Sequence, residues 1–218
     1  MDTVNIRQAI ATAKAHEHTS GQLAHLLKTR TNSLHHSIQL PPQNIVPALL
    51  NFIIHYIDQV PEFIDAVDAI ANECDLTDYT EPVMSIAKEF FIRPPHLTDG
   101  HEGLNALMDE SYLAHRLIEE VNDRFMSCYN TPLVPIDMTR SNLIIHHLIG
   151  EPFANRLDQA VRLITDNLQN YDLVFVPDAC KKDRSARWAS DLQRWPCLVD
   201  NLSINLLLNG QAVRIMIH

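Results

Sequence analysis

Apolar residues recur along most of this chain three or four positions apart, the spacing of helices that bury one face. Residues 4 to 30 carry a stripe of Ile6, Ile10, Ala13, Glu17, Ser20, Ala24 and Leu27, which predicts one helix with an acid in its buried line. The polar stretch from Thr31 to Gln43, with Pro41-Pro42 near its end, predicts a loop. Residues 44 to 60 form the next helix on Val46, Leu49, Ile53, Tyr56, Ile57 and Val60. Pro61 then stands where a first helical position belongs, ahead of a new stripe at Phe63, Val67, Ile70 and Cys74.

Thr80 is the expected N-cap of a helix through Val83, Ile86, Ala87 and Phe90, and Arg93-Pro94-Pro95 closes it. Asp99 and Asp137 are placed to cap helices at about 101–126 and 138–149. Gly150-Glu151-Pro152 breaks the chain, and Phe153, Leu157, Val161, Ile164 and Leu168 give one more amphipathic helix. Beyond about residue 170 the pattern changes. Residues 173–176 suit a short strand and 184–194 a helix presenting Trp188 and Leu192. Leu202–Leu208 and Gln211–Ile217 flank Asn209-Gly210, a pair that favours the positive φ angles of a tight hairpin turn. The expectation is a mainly α fold of about six to seven helices with a small C-terminal β-hairpin, or α+β, appendage. Residues 1–170 form the bundle, and 171–218 pack on it without being independent.

Composition narrows the function. A formal net charge of −10 argues against nucleic acid, whose binders present a basic face. The nearest basic cluster, Lys181, Lys182, Arg184 and Arg187, suits a solvated turn. Four widely spaced cysteines without a C-x-x-C pair suggest free thiols and a reducing compartment. The first residues lack a basic and then apolar leader. The run Ile45–Ile57 is too short for a membrane span and is interrupted by polar positions. A cytoplasmic location is the expectation.

Motifs for phosphate-binding loops, nucleophile elbows and H-E-x-x-H zinc sites are missing, and His16-Glu17-His18 and His101-Glu102 do not complete the last. No glutamate is followed three residues later by histidine, as a carboxylate-bridged di-metal bundle requires. A related spacing does occur. His115 and Glu119, and His147 and Glu151, lie four apart, so each pair shares a helix face. With Glu110 and His146 they make a candidate set for a divalent transition metal; the plainer role is a surface hydrogen bond.

Burial is the stronger signal. Leu107, Ala114, Ile118, Val121 and Phe125 mark the buried direction of the 101–126 helix, and Glu110 falls only about 60° away, with His115 and Asn122 on the other flank. A carboxylate in an apolar arc is costly unless partnered, and such places are where pKa values shift. Glu17 repeats this on the first helix. Arg140 and Asn142 begin an otherwise apolar helix, Arg140 within reach of Glu110 or Glu151, and Glu151 sits at the Gly150 break. Glu17, Glu110, His115, Glu119, Arg140, Asn142 and Glu151 are thus the candidate polar cluster. The paired histidines add a pH-dependent charge, His55 points outward, and Cys74 reads as a small buried hydrophobe. Three functions fit: a non-enzymatic helical protein working by association with a protein partner or itself, a His/carboxylate metal-binding bundle or metal-dependent enzyme, and a helical pocket for a small apolar or acyl ligand lined by the 45–57 helix.

Overall fold

The longest element settles what happens at Pro61. In the computed structural model, which describes residues 3–98, 100–129, 132–134, 137–167, 204–208 and 211–212, α3 runs unbroken through Ile45–Glu73 with Pro61 inside it. The sequence reading divided this stretch into two helices. The stripe decides otherwise: Ile53, Tyr56, Ile57, Val60, Phe63, Ile64 and Val67 keep helical phase across the proline, and all are at most 4% exposed. Burying such side chains contributes about 1.5–3 kcal/mol each. Together they outweigh the roughly 3 kcal/mol a proline costs inside a helix.

Two shorter helices replace the expected helix over 4–30: α1 (Val4–Ser20) and α2 (Gln22–Arg30). Gly21 lies between them at φ 61°, a left-handed conformation that stops α1 and redirects the chain. Ion pairs align α1 with α3, Arg7 meeting Glu62 and Asp65 and Lys14 meeting Asp58. Helix α4 (Thr77–Ile92) begins four residues earlier than expected, with Leu76 at its N-cap. Thr80 is therefore not its cap; the hydroxyl is buried and donates back to the Leu76 carbonyl.

Helix α5 (Gly103–Tyr129) is the hub, packing against α1, α3, α4, α6 (Thr139–Ile149) and α7 (Glu151–Asn167). The sequence suggested one buried direction for it. With neighbours around it, residues 107 to 115 are all buried, as expected of a helix enclosed by others. Helix α6 begins one residue later than expected, with Met138 and not Asp137 at its N-cap; the Asp137 Oδ1 still accepts the Thr139 N–H at 3.0 Å. The predicted break falls at Gly150, φ 101°, between α6 and α7.

The fold is mainly helical. The 31–43 segment also holds β1 (Ile38–Gln39), where the sequence predicted only loop. It pairs antiparallel with β2 (Asn205–Leu208), Ile38 opposite Leu206, and β2 pairs with β3 (Gln211–Ala212). These short pairings do not establish the expected C-terminal hairpin, because Asn209-Gly210 and residues 213–218 lie outside the described residues. So do Asp99, the 173–176 strand and the 184–194 helix. Among the described residues no helix is long and apolar enough to cross a membrane.

Candidate functional site

Asn142 is the only carboxamide among the buried residues of α6, and its neighbours there are Ile144, Ile145, Leu148 and Ile149. A buried carboxamide must find partners, and this one finds two. Its Oδ1 accepts the Tyr56 hydroxyl of α3 at 2.7 Å, and its Nδ2 donates to Glu119 Oε2 of α5 at 2.8 Å. Glu119 also accepts the Thr139 hydroxyl at 3.3 Å and pairs with Arg116 one turn back. The Arg116 Nε donates to Asp158 of α7 at 3.1 Å, and the Tyr112 hydroxyl donates to the same oxygen at 3.0 Å. His146 completes the run, its Nε2 3.6 Å from the second Asp158 oxygen and 3.2 Å from Asn155 Oδ1.

This network borders an open cleft of about 370 Å³ between α5, α6 and α7. Thr139, Leu143 and His147 join Tyr112, Arg116, Glu119, Asn142, His146 and Asp158 in its walls. Burial opposes the charge of Arg116, but Glu119 and Asp158 outweigh it and hold the guanidinium above its ordinary pKa. Burial, and then the Asp158 charge, push the Tyr112 hydroxyl up, so it stays a donor. Burial, reinforced by His146 and His35, lowers the pKa of His147, with Glu151 acting weakly the other way. Arg116 lies between Glu119 and Asp158, with His146 beside Asp158, so two carboxyl groups and one guanidinium stand in the wall of the cleft. Such a wall can accept a positively charged or hydrogen-bond-donating group.

The predicted cluster is only partly brought together. Glu119, Asn142, His146 and His147 share the cleft. Arg140 is half-buried on the first turn of α6, and Glu151 is exposed at the start of α7. Glu17 is buried elsewhere and serves α2: its carboxylate accepts the backbone N–H groups of Leu23 and Ala24 at 2.9 and 3.0 Å, satisfying donors that a helix start leaves unpaired. Glu110 is 3% exposed on α5, where burial and then the adjacent Asp109 push its pKa up to about 7.

His115 parts from Glu119 despite the four-residue spacing. It is fully buried, its Nε2–H donating to the Tyr56 carbonyl at 2.9 Å, its ring between Tyr56 and Phe63, and its Nδ1 without a hydrogen bond. Burial lowers its pKa to about 4, so it is a neutral core residue. Among the described residues, no group of three or more His, Cys, Asp or Glu side chains is gathered to hold a metal ion. The 45–57 segment fills the core, with Leu49, Phe52, Ile53, Tyr56 and Ile57 all at 0% exposure.

Sequence reasoning missed Tyr112, Arg116 and Asp158. A signal for the first two existed: Tyr112, Arg116 and Glu119 are spaced four and three apart and so share one face of α5. Comparison with family models, curated proteins and solved structures gives no significant match to this chain.

Proposed function

We propose that this protein works by association with a protein partner, and that the cleft between α5, α6 and α7 receives a basic side chain of that partner. The observation that carries this reading is an open cleft walled by Glu119 and Asp158 around the Arg116 guanidinium, beside Leu143, a leucine 38% exposed on α6. A lysine or arginine entering there meets Glu119 and Asp158, and an adjacent apolar residue covers Leu143. The net charge of −10 adds long-range attraction for a basic partner. Among the described residues, the other large exposed apolar side chains, Val4, Ile92, Met126 and Leu163, stand on four other helices and form no single apolar helix face.

The test is a titration of ¹⁵N-labelled protein with N-acetyl-leucyl-arginine amide, followed by amide shifts. The expected result is shifts confined to the neighbourhood of Tyr112, Asn142, Leu143 and His146, with a midpoint in the range of about 1 mM for so small a probe. Glu119→Gln should weaken it several-fold. If the acidic counterpart, N-acetyl-leucyl-glutamate, shifts the same resonances, or neither peptide shifts them, the reading is wrong.

A further inference from the structure

A second polar group lies on α5 one to two turns before the cleft. Asp109 is fully buried, at 0% exposure, and one of its oxygens is bonded to Nδ1 of His101 in the segment leading into α5. Its other oxygen, Oδ1, is buried without a hydrogen-bond partner. His101 is one-third exposed and lines a hollow of about 220 Å³ with Gln22, Leu23 and Leu26 of α2, Glu102 and Asn105. Its ring meets that of Phe153 of α7 edge to face, with 5.4 Å between centroids.

A carboxylate can only accept, so Nδ1 of the neutral imidazole must carry the proton, leaving Nε2 with its lone pair. Nδ1 is committed to Asp109, and Nε2 is the ring nitrogen that this bond does not use. We propose that His101 and Asp109 form a proton-accepting site for a small hydroxyl-bearing molecule bound in this hollow. The ligand's hydroxyl donates to Nε2, the carboxamides of Gln22 and Asn105 pair with its remaining polar atoms, and Leu23 and Leu26 cover its carbon side. A hollow of about 220 Å³ that opens to solvent suits a ligand of the size of a small polyol. Positive charge developing on the ring meets the Asp109 carboxylate behind it.

The charged groups around the pair are compatible with this. Burial raises the pKa of Asp109, while His101 and then Arg30 pull it back. The Arg30 guanidinium also holds the carbonyls of Leu148 and Ile149 at the end of α6, which anchors it near the acid. Glu102 lines the hollow itself, and Glu110 follows Asp109 on α5.

The unmodified protein carries the test. Long-range ¹⁵N–¹H correlation of labelled histidines, assigned with His101→Gln, should show His101 protonated at Nδ1 and bare at Nε2 in the neutral ring. Mass mapping after brief diethyl pyrocarbonate treatment should find His101 ethoxyformylated about fivefold faster than the exposed His55. Molar glycerol, the probe ligand, should slow His101 at least about twofold while leaving His55 unchanged. An Nε2–H tautomer would overturn the dyad. Reactivity equal to that of His55, or no protection by glycerol, would overturn the ligand site.

Discussion

Glu110 gives the most quantitative prediction. Its carboxyl is raised in the fold from 4.5 to about 7, chiefly by burial and then by the Asp109 charge. Between those values the folded state binds a proton that the unfolded chain has lost. The contribution of the protonated acid is therefore fully present below pH 4.5 and disappears as pH rises through 7. One pH unit corresponds to 1.36 kcal/mol, so ionising Glu110 in place costs about 3 kcal/mol. Glutamine keeps the shape and cannot ionise.

In urea unfolding, Glu110→Gln should match the natural protein at pH 4.5 and exceed it by about 2–3 kcal/mol at pH 8. Asp109, also raised by burial, contributes a trend of the same sign in both proteins, and His115 acts at acid pH in both. The difference between variants at each pH removes these. If Glu110→Gln destabilises at pH 8, the carboxylate is ionised and paired in the fold, and the account of its burial fails.

Two further outcomes follow from the buried groups. His115, lowered from 6.5 to about 4 by burial, must take up a proton on acid unfolding; its contribution is complete above pH 6.5 and is lost as pH falls through 4, about 3 kcal/mol in all. His115→Leu should cost about 1 kcal/mol at pH 7, through the lost bond to the Tyr56 carbonyl, yet show a much shallower decline between pH 6.5 and 4 in the same urea assay. Glu17→Ala should cost about 1–2 kcal/mol by removing the cap on α2. Hydrogen exchange would then speed first at Leu23 and Ala24; unchanged protection there would show that the carboxylate is not their acceptor.

Features written in one residue type with one conformational consequence were legible in the sequence. Gly150 ends α6, Asp137 accepts an N–H of its first turn, and Cys74 and Glu17 are buried where their stripes put them. Features decided by a balance were not. Pro61 is a stop signal locally, and only the full burial of the side chains on both sides of it keeps α3 continuous. Gly21 has neighbours compatible with helix, and its left-handed φ shows only in the fold. The two residues of β1 are too few to leave a period, and a partner more than 160 positions away makes them a strand. In the cleft, Asn142 stood out as polar on an apolar face. Arg116 did not, because an arginine on a half-exposed helix face looks like solvated surface until Asp158 arrives from α7.

The position of α5 explains why the polar chemistry collects on it. Where its neighbours enclose it, α5 leaves little solvent face, so its buried polar groups must be matched by groups that pack around them. Glu119 is matched through Asn142 and Arg116, Tyr112 through Asp158, His115 through the Tyr56 carbonyl, and Asp109 through His101. Where matching is complete, as around Glu119, the groups tie α3, α5 and α6 into one arrangement. Where it is incomplete, at Asp109 Oδ1 and His115 Nδ1, the missing bond costs stability, about 1–3 kcal/mol for each buried polar atom. His115 is sealed in the core, so its unpaired nitrogen can serve only the packing around it. Asp109 differs in that its other oxygen bonds His101, which lines the open hollow beside α2.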